Sequence, residues 1–127
     1  MSIAVIGAGK WGQGLHFAFS QKQTCLITSP HKKDLPNFVS IDEALECEYL
    51  VFALSAQGIS AWLKEHFKNK GQKILLASKG IDTASCRFLD EIFLDFVDKR
   101  NFCVLSGPSF AAEVMQGLLC VFFLSVF

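Results

Sequence analysis

The 127-residue sequence has no excess of either charge: twelve Lys and Arg balance twelve Asp and Glu, for a formal net charge of zero. Nucleic-acid binding needs Lys and Arg gathered on one face to neutralise phosphates, and no such cluster exists, so nucleic acid is not an expected partner. Metal-binding spacings are missing too. The five cysteines, Cys25, Cys47, Cys86, Cys103 and Cys120, never form a CxxC pair, and they read as reduced core thiols. His16, His31 and His66 have no partner at i, i+4 and no cysteine pair nearby, so they read as surface or half-buried residues and no metal site is expected. Long apolar runs are absent: the uncharged stretch Leu118 to Phe127 is half the ~20 residues a membrane-spanning helix needs. No basic segment with a following apolar run and cleavage site precedes Ile3, so no signal peptide is read and the expected location is cytoplasmic. Proline is scarce, and two of the three residues, Pro30 and Pro36, fall within Ser29 to Phe38, which reads as a loop.

What remains is half hydrophobic and of single-domain length. The run Ile3-Ala4-Val5-Ile6 leads directly into Gly7-Ala8-Gly9-Lys10-Trp11-Gly12, a strand feeding a glycine-rich turn. In a GxGxxG turn each glycine answers a separate demand: Gly7 the tight bend, Gly9 close approach of a pyrophosphate, Gly12 close packing of helix on strand. The N–H groups opening the next helix then face an anion. Downstream, a helix over Gly12–Ser20 and a strand over Thr24–Thr28 complete a βαβ start. Ser40-Ile41-Asp42-Glu43 fits a capping box opening a short helix through Cys47. Tyr49–Leu54 and Lys73–Ser78 are apolar runs of the kind buried on both faces of a parallel sheet. Helices are expected over Ile59–Phe67 and Ala84–Val97, and a strand over Phe102–Ser106. In the second helix Phe88, Leu89, Ile92, Phe93, Phe96 and Val97 repeat as a core stripe, with Asp90, Glu91, Asp95 and Asp98 on a solvated face. The βαβ alternation throughout predicts a doubly wound, Rossmann-like α/β fold with a mostly parallel sheet.

Ligands of such sheets bind outside the carboxyl ends of the strands. Three of these ends carry chemistry. One is the glycine turn. The second is Ser78-Lys79-Gly80-Ile81-Asp82, where Lys79 reads either as a cation for a phosphate or carbonyl or as an ordinary loop lysine. The third is Ser106-Gly107-Pro108-Ser109-Phe110-Ala111, a tight turn into a short helix over Phe110–Gln116, offering backbone N–H groups and the Ser109 hydroxyl.

The segments Gly7-Ala8-Gly9-Lys10-Trp11-Gly12, Ser78-Lys79-Gly80-Ile81 and Leu105-Ser106-Gly107-Pro108-Ser109-Phe110-Ala111-Ala112-Glu113-Val114 together resemble the bacterial NAD(P)-dependent glycerol-3-phosphate dehydrogenase family. The resemblance covers the chain up to Gly117. It implies reversible reduction of dihydroxyacetone phosphate to sn-glycerol 3-phosphate, a precursor of glycerophospholipids. It puts Lys10, Trp11 and Ala111 at the cofactor, Lys79 at both cofactor and substrate, and Gly107 and Ser109 at the substrate. It also implies a two-domain enzyme whose mostly helical C-terminal domain, with the general acid/base lysine, lies outside this sequence, so no catalytic residue is assigned here. A small phosphorylated substrate and a homodimer are the partners it is compatible with. Residues 1–117 then form the dinucleotide-binding domain. In 118–127 the chain departs from the family pattern, which reads as a truncated or frameshifted ending, or as a buried strand added to the sheet.

Cofactor choice is read at the end of the second strand. An NAD-selective site offers a carboxylate about 20 positions after the glycines. This chain has Thr28-Ser29-Pro30-His31-Lys32-Lys33 instead. One hydroxyl, Ser29, and the cations His31, Lys32 and Lys33 favour a 2′-phosphate, hence NADP(H), with NAD(H) as the alternative; the bland alternative is a solvated basic loop.

Overall fold

The computed structural model describes residues 2–78, 80–106 and 123–126. In chain order, β1 (Ile3–Ile6) leads to α1 (Lys10–Ser20), β2 (Cys25–Thr28), α2 (Ile41–Leu45), β3 (Tyr49–Phe52), α3 (Ile59–His66) and β4 (Lys73–Leu76). A two-stranded hairpin follows, β5 (Ile81–Asp82) and β6 (Arg87–Phe88), then α4 (Leu89–Leu94), a single 3-10 turn, β7 (Phe102–Ser106) and β8 (Phe123–Val126).

The main sheet runs β2-β1-β3-β4-β7-β8. Its first five strands are parallel and β8 is antiparallel to β7, with Ser106 opposite Phe123. The doubly wound, mostly parallel fold is therefore as expected, and the chain direction on the sheet reverses between β1 and β3. Strand β8 lies within 118–127 and pairs on the sheet as the strand alternative anticipated; the Phe110–Gln116 helix falls outside the described residues.

The strands are almost wholly buried because helices cover both faces. On one face α2, α3 and α4 lay Leu45, Leu63, Ile92 and Phe93 against Ile6, Phe52 and Leu76. Phe52 is fully buried there and meets Trp62, Phe67 and Phe93 edge-on, with centroids at 5.7, 6.5 and 4.9 Å. On the other face α1 packs Leu15 over Val5, Cys25 and Ile27. Farther along that face, an apolar groove of about 350 Å³ runs between Phe19, Tyr49, Val51, Leu75 and Cys103. Helix α2 starts as its capping box predicts, Ser40 Oγ accepting from the Glu43 N–H at 3.2 Å.

Three expectations are corrected. The helix expected over Ala84–Val97 is shorter. Residues 83–86 turn between β5 and β6, and α4 begins only at Leu89. Asp82 decides this locally: its buried carboxylate accepts from the Ser85 hydroxyl at 2.8 Å and the Ala84 N–H at 3.3 Å, holding a side-chain turn that competes with helix. Phe88 accordingly leaves the core stripe and is 58% exposed. Cys86, expected in the core, is exposed at a positive φ of 56° in the same turn. His16 is buried rather than at the surface, its Nε2 2.7 Å from the Cys25 carbonyl oxygen. The acidic row of α4 is solvated and paired as expected: Arg87 donates to Asp95 at 2.6 Å and holds that carboxyl below its usual range.

Two outcomes follow from the core. Phe52→Ala should cost about 3–5 kcal/mol, read as a lower urea midpoint at unchanged slope. Burial, helped by neighbouring Cys47, pushes the Cys25 thiol from 9.0 up to about 11. Its contribution to stability is therefore complete below 9.0 and is lost as pH rises toward about 11. Urea midpoints at pH 8 and pH 10 should diverge less in Cys25→Ala than in the parent chain.

Candidate functional site: the glycine turn at the sheet reversal

The crevice opens where β1 ends between β2 and β3. Backbone bonds staple these ends together: the Gly7 N–H donates to Thr28 O, the Ala53 N–H to Ile6 O and the Ala77 N–H to Phe52 O, each at 2.8 Å. Gly7 has φ +121°, and a Cβ there would stand 2.6 Å from the Ala53 carbonyl oxygen, so only glycine makes this bend. At Gly12 a Cβ would stand 1.9 Å from the Gly7 oxygen, because α1 lies directly on the turn. Gly9 differs: nothing lies within 4 Å of the Cβ it lacks. The bend, the open approach and the close packing fall to Gly7, Gly9 and Gly12 as their spacing implies.

Gly9 is the N-cap of α1 without a side-chain cap. The first-turn N–H groups of a helix have no intrahelical acceptor, so this end is chemically suited to an anion such as a diphosphate. Lys10 is exposed at the same end. The Trp11 indole reaches across the crevice and donates from Nε1 to the Ala77 carbonyl at 2.8 Å, tying α1 to the end of β4. The Ser78 hydroxyl donates to Phe52 O at 3.2 Å and so binds that same end to β3. Lys79, Gly107, Ser109 and Ala111 lie outside the described residues.

The loop after β2 distributes its groups unevenly. The Ser29 hydroxyl donates to the His31 carbonyl within its own turn. His31 and Lys32 are exposed. Lys33 turns back, and its Nζ donates to the Ala8 carbonyl at 2.8 Å, so it joins the glycine turn. Lys32 instead borders a groove of about 680 Å³ with Thr28, Phe38, Ser40, Asp42, Glu43 and His66. At the floor of this groove Thr28 is 1% exposed and its Oγ1 has no partner among the described residues. Thr28, Asp42, Glu43 and His66 escaped the sequence reading as groove residues, since only the fold brings α2 and α3 beside the end of β2. Among the described residues no cluster of His, Cys, Asp and Glu could hold a metal ion, and no helix is long and apolar enough to cross a membrane.

A glycine turn at the reversal of a doubly wound sheet, with an open approach at its middle glycine, defines the class of Rossmann-type dinucleotide-binding domains. Residues 28–126 match the family described as NAD-dependent glycerol-3-phosphate dehydrogenase N-terminus, and the chain belongs to that family. A glycerol-3-phosphate dehydrogenase [NAD(P)+] of Campylobacter jejuni subsp. doylei is 73% identical over 118 residues, 93% of this chain and 40% of that protein. One from Campylobacter lari is 57% identical over 125 residues, 98% of this chain and 42% of its own length. The chain thus spans about two-fifths of these curated relatives. Among solved structures, a glycerol-3-phosphate dehydrogenase from Coxiella burnetii shares the fold with a TM-score of 0.74 at 21% identity, covering 97% of this chain and 46% of that one.

The glycine geometry separates two substitutions. Gly12→Ala should unfold the turn, with a large loss of thermal stability, because backbone rather than a flexible side chain blocks the methyl. Gly9→Ala should leave stability within about 0.5 kcal/mol while weakening dinucleotide binding about tenfold, because its methyl would enter the anion's space. Thermal melts and nucleotide titrations on the two variants read the contrast.

Proposed function

We propose that residues 1–117 act as the dinucleotide-binding domain of an NAD(P)H-dependent glycerol-3-phosphate dehydrogenase. The reaction is reduction of dihydroxyacetone phosphate to sn-glycerol 3-phosphate, which supplies glycerophospholipid synthesis in the cytoplasm. The observation that carries this reading is the glycine turn at the sheet reversal, followed along the chain by Ser78-Lys79-Gly80-Ile81 and Ser106-Gly107-Pro108-Ser109-Phe110-Ala111.

In this reading Gly7, Gly9 and Gly12 shape the diphosphate cradle, with Lys10 and Trp11 beside it and Ala111 also at the cofactor. Lys79 touches both cofactor and substrate, and Gly107 and Ser109 orient the substrate's polar groups. The bound nicotinamide supplies the hydride. This chain's residues hold and orient the two reactants so that transfer occurs within one complex. NADP(H) is favoured, because Lys32 and His31 stand exposed at the ribose end. NAD(H) remains the alternative, since Asp42 and Glu43 line the same groove and carboxylates oppose a 2′-phosphate. A homodimer is the assembly this reading is compatible with.

A second reading, a dinucleotide-binding unit without turnover of its own, is favoured by one observation: the chain spans only 40% of its relatives. Reduction of a carbonyl needs a proton donor at the oxygen, and a positioned donor contributes about 10²–10⁴ in rate. The family resemblance places that donor in the helical domain.

Titrating the chain with NADPH and NADH while following tryptophan fluorescence tests the shared claim, because Trp11 sits at the cradle. Saturable quenching, tighter with NADPH, is expected; no saturable response to either would refute both readings. Dihydroxyacetone phosphate-dependent NADPH oxidation then separates them, with turnover at least about 10²-fold below a full-length relative expected for the isolated domain.

A further inference from the structure

Two neighbouring lysines, Lys32 and Lys33, leave the β2 loop in different directions. Lys33 Nζ donates to the Ala8 carbonyl at 2.8 Å, and Gln13 Nε2 donates to the same oxygen at 2.9 Å. In a trans peptide the carbonyl and the following N–H point to opposite sides, and no cis peptide occurs among the described residues. Two donors on the Ala8 carbonyl therefore fix the Ala8–Gly9 peptide plane and aim the Gly9 N–H away from them. They also set a positive charge one peptide from the N-terminus of α1. Lys32 makes no such bond and borders the groove whose floor is the unpartnered Thr28 hydroxyl.

We propose that the two cations serve different parts of one dinucleotide: Lys33 positions the glycine turn and supplies charge to the diphosphate, while Lys32 reads the 2′-phosphate at the ribose end. Lys33 then supports NADH and NADPH alike, and Lys32 sets the preference between them. This rests on the dinucleotide-binding reading above, and it revises the sequence-based assignment of Lys33 to the 2′-phosphate.

The test compares Lys33→Met, Lys33→Arg and Lys32→Met with the parent chain, each titrated with NADPH and with NADH at fixed low salt. Lys33→Met should weaken both nucleotides by the same factor, about tenfold for a lost charged hydrogen bond, leaving their ratio unchanged. Lys33→Arg should restore most of the binding. Lys32→Met should weaken NADPH about tenfold while sparing NADH. The salt dependence of NADH affinity gives a readout that a general loss of fold does not mimic: it should be shallower in Lys33→Met and unchanged in Lys32→Met. An effect of Lys33→Met confined to NADPH, or no effect on either nucleotide, would overturn the division of roles. Failure of the parent chain to bind either nucleotide would instead remove the dinucleotide reading on which it stands.

Discussion

The crevice depends on one steric constraint, the contact of backbone with backbone at the end of β1. Gly7 bends against Ala53, and α1 rests on Gly7 through Gly12, where added Cβ atoms would lie 2.6 and 1.9 Å from the facing carbonyl oxygens. These contacts bring the N-terminus of α1 to the point where the sheet reverses. Other features of the site are anchored to it: Trp11 holds the end of β4, Gln13 and Lys33 hold the Ala8 carbonyl, and Gly7 is bonded to the end of β2. The hydrophobic layers under α2, α3 and α4 fix the strand ends that make this geometry reproducible.

The electrostatics of the site are local. With a net charge of zero, the chain has no broad field to attract an anionic ligand. Recognition falls to a few placed groups: a helix end, the Lys33 ammonium on the glycine turn, and the Lys32 side of a groove shared with Asp42 and Glu43. The mixed charges of that groove bear on cofactor choice, and a count of loop cations does not capture them.

Much of this was legible in the chain because it is encoded by short-range chemistry. The strand Ile3–Ile6, the separate roles of three glycines and the Ser40 cap depend on neighbours within a few positions. The hairpin at 81–88 was not legible from apolar periodicity, since Phe88 continues a helical stripe while the buried Asp82 side chain captures the Ala84 N–H and the Ser85 hydroxyl. Nor was the direction of Lys33 legible. Its partner, Ala8, is 25 residues away, and only the pairing of β1 with β2 brings them together. Thr28 and Asp42 became groove residues for the same reason.

The central claim is that the turn from Gly7 to Gly12 is built around a dinucleotide diphosphate. ADP carries that diphosphate without the nicotinamide or the 2′-phosphate, so its titration into the isotope-labelled chain, followed by backbone amide NMR, is the most direct measurement. The account predicts the largest shift changes at Gly9, Lys10, Trp11 and Gly12, with smaller ones at Thr28 and Ser40. Changes confined to the apolar groove between Tyr49 and Leu75, or none anywhere at saturating ADP, would contradict it.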